Sequence, residues 1–316
     1  MKAGQVDEAI RLYSEAIEIQ KSEGMFTNRA MAYIKQRKYK EALFDCEQAL
    51  YLNPSFAKAH LRAYTCYLAQ GMLPKAKSSI EAAVALGDTT MADKVSFVDE
   101  LVKYEGFVKA AIKRQEYREA VFYSTRLVDQ CPDSVRHIKM RLKSSILHSP
   151  NDLSEVIKLS YDVQQKFMDS AVFLFWRGRV LLYNGQTDLA KKHIKQALQI
   201  DPDNTKIMRF WKSLQQAENL KGSASHAFKN NLFEVAAGLF SQCLEVDPLY
   251  GAYNQTVYYN RACAHHKLGW HERALEDCDS AIALNKEYAK AYLKKGDIRM
   301  DQELWEEATH EYNKLK

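Results

Sequence analysis

Five polar residues in the last third of the sequence have the types and spacing of a site that binds an anion. Lys221 and Ser225 are four residues apart, as are Lys290 and Lys294, so each pair would share one face of a helix. Asn260 lies between the two pairs. Like charges at this spacing destabilise a helix, and Asn is unfavourable inside one. Because ammonium and amide groups donate hydrogen bonds to carboxylates, we interpret this pattern as a carboxylate-binding site.

Three residues near the N-terminus repeat part of this arrangement. Asn28 precedes Lys58 by 30 residues, and Asn260 precedes Lys290 by the same 30 residues. Arg62 follows Lys58 at a spacing of four, and both Asn residues begin the tripeptide Asn-Arg-Ala. Two copies of one constellation in distant segments indicate a shared role. We therefore predict a second carboxylate-binding site that contains Asn28, Lys58 and Arg62.

Other residues that could carry chemistry form no comparable pattern. His265, His266 and His271 cluster with Cys263, but no fourth ligand follows at a spacing suited to zinc, and helix packing explains them. The sequence has no Gly-rich phosphate loop, no paired carboxylates and no Ser-His-Asp order. The basic run KKHIKQ, residues 191–196, is interpreted as a solvated helix face. We expect a binding protein and not an enzyme, with no cofactor and no metal.

Composition argues against several classes of protein. The formal charge of +5 is small for 316 residues, so a nucleic-acid-binding protein is not indicated. Six cysteines form no CxxC pair, which favours a reducing compartment over a disulfide framework. The N-terminus lacks the apolar core of a signal peptide, and the longest apolar run, residues 171–176, is too short to span a bilayer. We therefore expect a cytoplasmic protein without a membrane partner.

A repeat with a period near 34 residues organises the sequence. In each copy a turn residue is followed by a bulky residue and then by an Ala, and Pro often follows the copy. The repeated Ala positions are Ala9, Ala42, Ala76, Ala120, Ala190, Ala236, Ala274 and Ala308. Small residues let two antiparallel helices approach closely. The pattern is the signature of tetratricopeptide repeats, so we predict an all-α fold, a right-handed superhelix of stacked helix pairs known as an α-solenoid.

Two irregularities in the spacing divide the repeats. Ala76 and Ala120 are 44 residues apart, and Ala190 and Ala236 are 46 apart. Both additional stretches, residues 89–106 and 204–222, have the composition of a helix. We predict about nine repeats in three blocks, with a long helix at the start of the second and third blocks; the blocks are residues 1–88, 89–204 and 205–316.

Some segments depart from the regular repeat. The fifth repeat is the most degenerate, and its turn is predicted at residues 148–152. Residues 249–255, LYGAYNQ, are predicted to lengthen the loop between the seventh and eighth repeats. The first block is expected to be truncated at its N-terminus, just before a turn at Gly4. The third block is expected to be truncated at its C-terminus, within the ninth repeat.

The repeat order and the polar constellations resemble the cytosolic J-domain co-chaperones of the tetratricopeptide class. The resemblance rests on nine repeats, on long helices after the third and sixth repeats, and on the two Asn-and-Lys constellations. It implies two-carboxylate clamps that capture the C-terminal Glu-Glu-Val-Asp tails of heat-shock proteins 70 and 90, and a role in passing client proteins between them. In that family a J domain follows the ninth repeat. No His-Pro-Asp tripeptide occurs in this sequence, so stimulation of a chaperone ATPase is not expected from these residues.

The resemblance carries over to individual residues. In the third block it implies a clamp of Lys221, Ser225, Asn260, Lys290 and Lys294. Ser225 replaces the Asn of the family, and Lys294 stands where Arg is more usual, although Lys cannot form the planar two-bond fork of Arg. In the first block the clamp comprises Asn28, Lys58 and Arg62, and the helix that supplies a further Lys and Asn is missing. The middle block has no clamp, because its polar residues do not repeat the pattern: Arg136, His137 and Lys143.

Three alternatives stay open. A co-chaperone that organises both chaperones without a J domain also has nine repeats, but it typically contains Asp-Pro-rich modules that are absent here. A lumenal J-domain relative also has nine repeats, but it binds unfolded clients directly and lacks clamps, so Asn260 and Lys290 argue against it. The third alternative is a general scaffold that recognises helices or loops in its groove.

Overall fold

A computed structural model describes residues 3–88 and 91–314 of the chain. Over these residues the chain forms helices and turns and has no β-strand. The helices are α1 (Ala3–Ile19), α2 (Glu23–Lys35), α3 (Tyr39–Leu52), α4 (Ala57–Ala69), α5 (Leu73–Ala85), α6 (Ala92–Arg114), α7 (Tyr117–Gln130), α8 (Val135–His148), α9 (Ser154–Asp162), α10 (Gln164–Phe167), α11 (Ala171–Tyr183), α12 (Thr187–Ile200), α13 (Thr205–Lys229), α14 (Phe233–Val246), α15 (Gly251–Lys267), α16 (His271–Leu284), α17 (Ala289–Asp301) and α18 (Trp305–Asn313).

The helices pack as consecutive antiparallel pairs, which confirms the predicted all-α repeat fold. α1 packs on α2, and the pairs in contact are α2 with α3, α4 with α5, α6 with α7, α11 with α12, α13 with α14, α15 with α16, and α17 with α18. The repeated Ala of each second helix is fully buried at the contact, because a larger side chain would hold the two helices apart. These residues are Ala42, Ala76, Ala120, Ala190, Ala236, Ala274 and Ala308.

The two predicted long helices are present. α6 has 23 residues and α13 has 25, whereas the other helices have between 4 and 17. Thr89 and Thr90, which were included in the first of these predicted helices, lie outside the described residues. The turn of the fifth repeat lies where it was predicted, between the end of α8 and the start of α9.

Two local predictions are wrong. Residues 251–255 of the predicted loop form the first turn of α15, because Tyr250 and Tyr253 are buried and fix this segment against the neighbouring helices. Gly251 begins that helix next to the fifth repeat, and a Cβ atom at this position would lie 2.6 Å from Asn151 Oδ1. Gly4 is not a turn residue, because α1 already begins at Ala3.

An aromatic cluster around Tyr250 joins three first helices. The Tyr250 ring lies 5.4 Å from Tyr183 of α11, 6.0 Å from Phe210 of α13 and 6.0 Å from Tyr253 of α15. The Tyr183 hydroxyl also donates a hydrogen bond to Asp247 Oδ2 at 3.0 Å. These rings therefore form apolar contacts between helices that are not sequence neighbours.

Two arginines in equivalent repeat positions form buried ion pairs. Arg29 of α2 donates to both carboxylate oxygens of Asp45 in α3, at 2.9 and 2.7 Å. Arg261 of α15 makes the same two-bond contact with Asp277 of α16. In both pairs the carboxylate follows the arginine by 16 residues and is almost completely buried. Each pair therefore fastens the two helices of its repeat to each other.

The equivalent arginine of the sixth repeat contacts no carboxylate among the residues that the structure describes. Arg177 is fully buried, and its Nε donates to His193 Nε2 at 3.2 Å, while its Nη1 donates to Ser160 Oγ at 2.7 Å. His193 again follows by 16 residues, so it occupies the position of Asp45 and Asp277. Burial lowers the pKa of His193, and the Arg177 charge lowers it further. The interpretation of residues 191–196 as a solvated face is therefore wrong for His193.

The chain divides into two compact units, Met1–Ser144 and Ser145–Lys316. In unit 1 an apolar core lies between α4, α5, α6 and α7, around Ile80, Val98 and Leu127. In unit 2 a core of small residues lies between α15, α16 and α17, around Cys278 and Ile298. The division into three blocks at residues 88 and 204 stays a prediction.

Candidate functional site

The five residues of the third-block site lie on three consecutive first helices of unit 2. α13 provides Lys221 and Ser225, α15 provides Asn260, and α17 provides Lys290 and Lys294. α13 contacts α15, and α15 contacts α17. Tyr259 of α15 packs edge-on against Tyr288, just before α17, with ring centroids 5.8 Å apart. The repeat therefore brings these polar residues onto neighbouring helices, as their spacing predicts.

Lys221 is a half-buried cation without a carboxylate partner. Its Nζ lies 4.6 Å from the centroid of the Tyr253 ring, and it forms no ion pair with any residue that the structure describes. Burial lowers the pKa of Lys221 below its usual value. The charge of Glu218 offsets this effect only in part. A half-buried ammonium group that no carboxylate contacts is unfavourable, so this position is suited to a ligand that brings its own negative charge.

Ser225 and Asn260 differ in their availability to a ligand. The Ser225 hydroxyl donates a hydrogen bond to the Lys221 carbonyl oxygen of its own helix, at 2.8 Å. Its proton is therefore occupied, and Ser225 supplies no free donor in this arrangement. The Asn260 side chain is half-buried and has no hydrogen-bond partner among the described residues. Its amide nitrogen is free to donate two hydrogen bonds, and its oxygen is free to accept.

The two lysines of α17 also differ from each other. Lys290 is exposed in the first turn and has no ion-pair partner among the described residues. Lys294 Nζ lies 3.3 Å from Asp297 Oδ2, one helical turn further along. Asp297 is half exposed, so water screens this pair in part, and a ligand carboxylate could replace Asp297 at Lys294.

The first-block residues lie on two neighbouring first helices of unit 1. Asn28 is on α2, and Lys58 and Arg62 are on α4, which contacts α2. Asn28 and Lys58 are exposed and have no partner among the described residues. The Nε atom of Arg62 is buried and donates to no other group of the described chain. These residues also offer unpaired donors to an anion, but they lie on two helices, whereas the third-block residues lie on three.

The polar residues of the middle block have structural contacts. His137 is fully buried, and its Nε2 lies 2.8 Å from Glu105 Oε1 of α6. Arg136 pairs with the other Glu105 oxygen. Burial raises the pKa of Glu105, but the His137 contact and the Arg136 charge outweigh it, so the net pKa is lowered. Both side chains are used to anchor α8 on α6.

The sequence pattern did not identify two residues that contact the third-block site. Tyr253 lies under the Lys221 ammonium group, and Asp297 pairs with Lys294. Tyr253 precedes Asn260 by seven residues, which is two helical turns, so the same face of α15 carries both. Asp297 follows Lys294 by three residues, and that spacing also predicts contact.

Two histidines of the eighth repeat lie beside carboxylates. His265 Nδ1 lies 3.0 Å from Asp277 Oδ2, and His266 Nε2 lies 2.7 Å from Asp301 Oδ2. Residues 3–88 and 91–314 contain no group of three or more His, Cys, Asp or Glu residues that is arranged to hold a metal ion. Within the same residues, no helix combines the length and the apolar character that a membrane crossing requires.

Family models of the tetratricopeptide repeat match three segments of the chain. They cover residues 25–56, 171–204 and 255–288. These segments correspond to α2 with α3, α11 with α12, and most of α15 with α16. The matched helix pairs come from both units of the chain.

Curated relatives extend the similarity to nearly the whole chain. Human DnaJ homolog subfamily C member 7 is 28% identical over 312 residues, which is 98% of this chain. Its homolog from Schizosaccharomyces pombe is 27% identical over 96% of this chain. The chain spans 63% of the human protein and 58% of the fission yeast protein.

A solved structure shares the fold of the chain. The crystal structure of the P58(IPK) TPR domain superposes with a TM-score of 0.66, at 16% sequence identity, and covers 99% of this chain and 88% of that one. This similarity agrees with the packing of the helix pairs and with the matched repeat models. The chain therefore contains tetratricopeptide repeats, and over 98% of its length it is similar to DnaJ homolog subfamily C member 7.

Proposed function

We propose that this chain is the chaperone-docking part of a co-chaperone, and that its third block captures acidic C-terminal tails of heat-shock proteins 70 and 90. The role is binding without catalysis, and it implies a cytoplasmic location. The homologous human protein is a DnaJ homolog, which supports a place among co-chaperones. The resemblance of the clamp residues to those of chaperone-binding tetratricopeptide domains supports the tails as ligands.

The observation that carries the proposal is the set of unpaired donors along α13, α15 and α17. Lys221, Asn260 and Lys290 have no acidic partner among the described residues, and Lys294 has only an exposed one. A C-terminal Asp presents two carboxylates, which several such donors can bind at once. Ser225 does not contribute a donor, because its proton is bound to its own helix.

The first block supports a second, weaker site. Asn28, Lys58 and Arg62 offer the same donor types as Asn260, Lys290 and Lys294, but without a further helix that carries Lys and Asn. If each block holds the tail of a different chaperone, one chain bridges both machines and clients pass between them. The second binding event then becomes intramolecular, which increases the overall affinity.

Tail capture is tested with a fluorescein-labelled peptide that ends in Glu-Glu-Val-Asp. The anisotropy titration compares the chain with its Lys290→Ala/Lys294→Ala variant. The double substitution is expected to weaken binding at least about tenfold, which corresponds to about 1.4 kcal/mol. Binding of the unmodified chain should also weaken with salt, because the contacts are ionic and partly exposed.

Two controls make this result specific. Lys229→Ala/Lys267→Ala removes the same charge from exposed ends of α13 and α15 and should leave the dissociation constant unchanged. Amidation of the peptide C-terminus should abolish binding, because it removes one of the two carboxylates. Capture at α17 would be contradicted if the Lys290→Ala/Lys294→Ala variant bound the peptide as tightly as the control variant. It would also be contradicted if the unmodified chain bound the amidated and the free peptide equally tightly.

A second prediction concerns Lys221, whose ammonium group is half-buried and unpaired. Lys221→Met keeps the apolar packing on Tyr253 and removes the charge. We expect tail affinity to fall about tenfold, while the free energy of unfolding stays equal or rises by up to about 1 kcal/mol. Tryptophan fluorescence reports the unfolding of unit 2, because all 4 Trp residues lie in it. Lys267→Met is the matched control, and a loss of stability in Lys221→Met would show that Lys221 has a structural role.

A further inference from the structure

Among the residues that the structure describes, Lys294 is the one cation of the third-block site that contacts a carboxylate. Its Nζ lies 3.3 Å from Asp297 Oδ2, and its side chain is 20% exposed. Lys221 and Lys290 form no ion pair within the same part of the chain. Asp297 therefore occupies, at Lys294, the position that a carboxylate of a bound tail would take.

Asp297 is also held from α18. The Tyr312 hydroxyl donates a hydrogen bond to Asp297 Oδ1 at 3.1 Å, while Asp297 Oδ2 accepts from Lys294. The two contacts use different oxygens of one carboxylate, so together they restrict its rotamer. Because each contact orients the group for the other, a ligand must displace a carboxylate that has two partners, which is harder than breaking a single exposed ion pair.

The tyrosine contact depends on a pair of residues that differs from the pair in other repeats. In the second repeat Ala30 packs with Cys46, which follows it by 16 residues, and the eighth repeat has the same two residue types at this spacing. The ninth repeat has Gly296 and Tyr312 instead, and a Cβ atom at position 296 would overlap the Tyr312 ring. Gly is about 1 kcal/mol less favourable than Ala inside a helix. This less favourable choice places a hydroxyl group where it reaches Asp297.

The pair of Lys294 and Asp297 lies beside the part of α15 that carries Asn260. Cys263 follows Asn260 by three residues and is half-buried, and this burial raises the pKa of its thiol. The charge of Lys294 lowers the pKa of Cys263 and the charge of Asp297 raises it, so both charged groups lie near the thiol. Asp297 therefore competes for Lys294 within the site itself, one helical turn from Asn260.

We propose that Asp297 is an internal competitor of the tail, a carboxylate that occupies Lys294 until a ligand carboxylate replaces it. This inference rests on the proposed tail capture and adds its regulation. Because the Tyr312 hydroxyl anchors Asp297, the affinity for a tail depends on the packing of α18 against α17. A change that moves Tyr312 away from Asp297 frees Lys294 and increases tail affinity.

The test titrates the fluorescein-labelled Glu-Glu-Val-Asp peptide with the full chain and its variants at about 0.15 M salt. Asp297→Asn keeps the shape of the side chain and removes its charge, and it should lower the dissociation constant about three- to fivefold. Tyr312→Phe keeps the ring beside Gly296 and removes the hydroxyl group, and it should lower the dissociation constant about twofold. In the Asp297→Asn background, Tyr312→Phe should have no further effect, because the carboxylate that it anchors is gone.

Two controls separate competition at Lys294 from a general change of charge. Asp301→Asn removes a carboxylate of the same helix that is 61% exposed and pairs with His266, and it should leave the dissociation constant unchanged. Lys294→Ala/Asp297→Asn should bind the peptide no more tightly than Lys294→Ala, because no cation is left to compete for.

The outcomes distinguish this regulation from tail capture itself. If the unmodified chain binds the peptide and Asp297→Asn does not bind it more tightly, the internal competitor is overturned and tail capture stands. An equal gain from Asp297→Asn with and without Lys294 also overturns it, because that result shows only a repulsion between Asp297 and the peptide. If the unmodified chain does not bind the peptide, tail capture is overturned and its regulation with it.

Discussion

Asp277→Asn is expected to lower the free energy of unfolding of unit 2 by about 3–5 kcal/mol. Asp277 is almost completely buried and accepts hydrogen bonds from Nε and Nη2 of Arg261, the shortest at 2.6 Å. Asn has nearly the same shape but no charge, so the half-buried guanidinium loses its counter-charge while the packing is kept. Urea unfolding followed by tryptophan fluorescence measures the effect in unit 2.

The matched control for this substitution is on the same helix. Asp279→Asn removes a carboxylate that is 61% exposed and pairs with Lys295 at 2.7 Å, and exposed pairs contribute less than about 1 kcal/mol. A similar small loss for Asp277→Asn would show that Arg261 finds another partner, and that the buried pair is not what fastens α15 to α16.

His193→Asp is expected to raise the free energy of unfolding of unit 2 by about 1–3 kcal/mol at neutral pH. Arg177 is buried beside a neutral imidazole, whereas Arg29 and Arg261 face carboxylates at the same spacing. The substitution gives Arg177 the missing counter-charge. In an Arg177→Met background, the same substitution should be destabilising, because the new carboxylate would be buried without a cation.

The pH dependence distinguishes this effect from a change in packing. The folded pKa of His193 is lowered from its usual value of 6.5. Below that pH the unfolded chain binds a proton at His193 that the folded chain excludes, so the free energy of unfolding falls as the pH decreases. This component should be absent from the His193→Asp variant. The same acid sensitivity in both proteins would show that His193 is not its source.

The regular part of the fold could be predicted from the sequence because each repeat depends on one local rule. An Ala at a fixed place in the second helix is required wherever two helices cross closely, and the buried Ala42 and Ala274 follow that rule. The predicted loop at residues 249–255 failed for a non-local reason. Tyr250 is buried by Tyr183 and Phe210, which are distant in sequence, and that burial extends α15 over residues that resemble a loop.

For the candidate site, sequence spacing predicted the helices but not the hydrogen bonds. Lys221, Asn260 and Lys290 lie on consecutive first helices because the repeat fixes their register. The hydrogen bond from the Ser225 hydroxyl to its own helix and the pairing of Lys294 with Asp297 depend on side-chain rotamers. Repeat spacing does not determine these rotamers. The burial of His193 could not be predicted, because most residues of the basic run around it are exposed and the composition of the run predicts exposure for all of them.

The aromatic cluster around Tyr250 has a consequence for how unit 2 opens. Repeat arrays usually unfold stepwise, because each repeat contacts only its immediate neighbours. Here α11 of the sixth repeat contacts α15 of the eighth, and Tyr250 lies against residues from α11, α13 and α15. These repeats therefore form one cooperative folding segment, in which local opening of any one of the three helices exposes the rings that hold the other two.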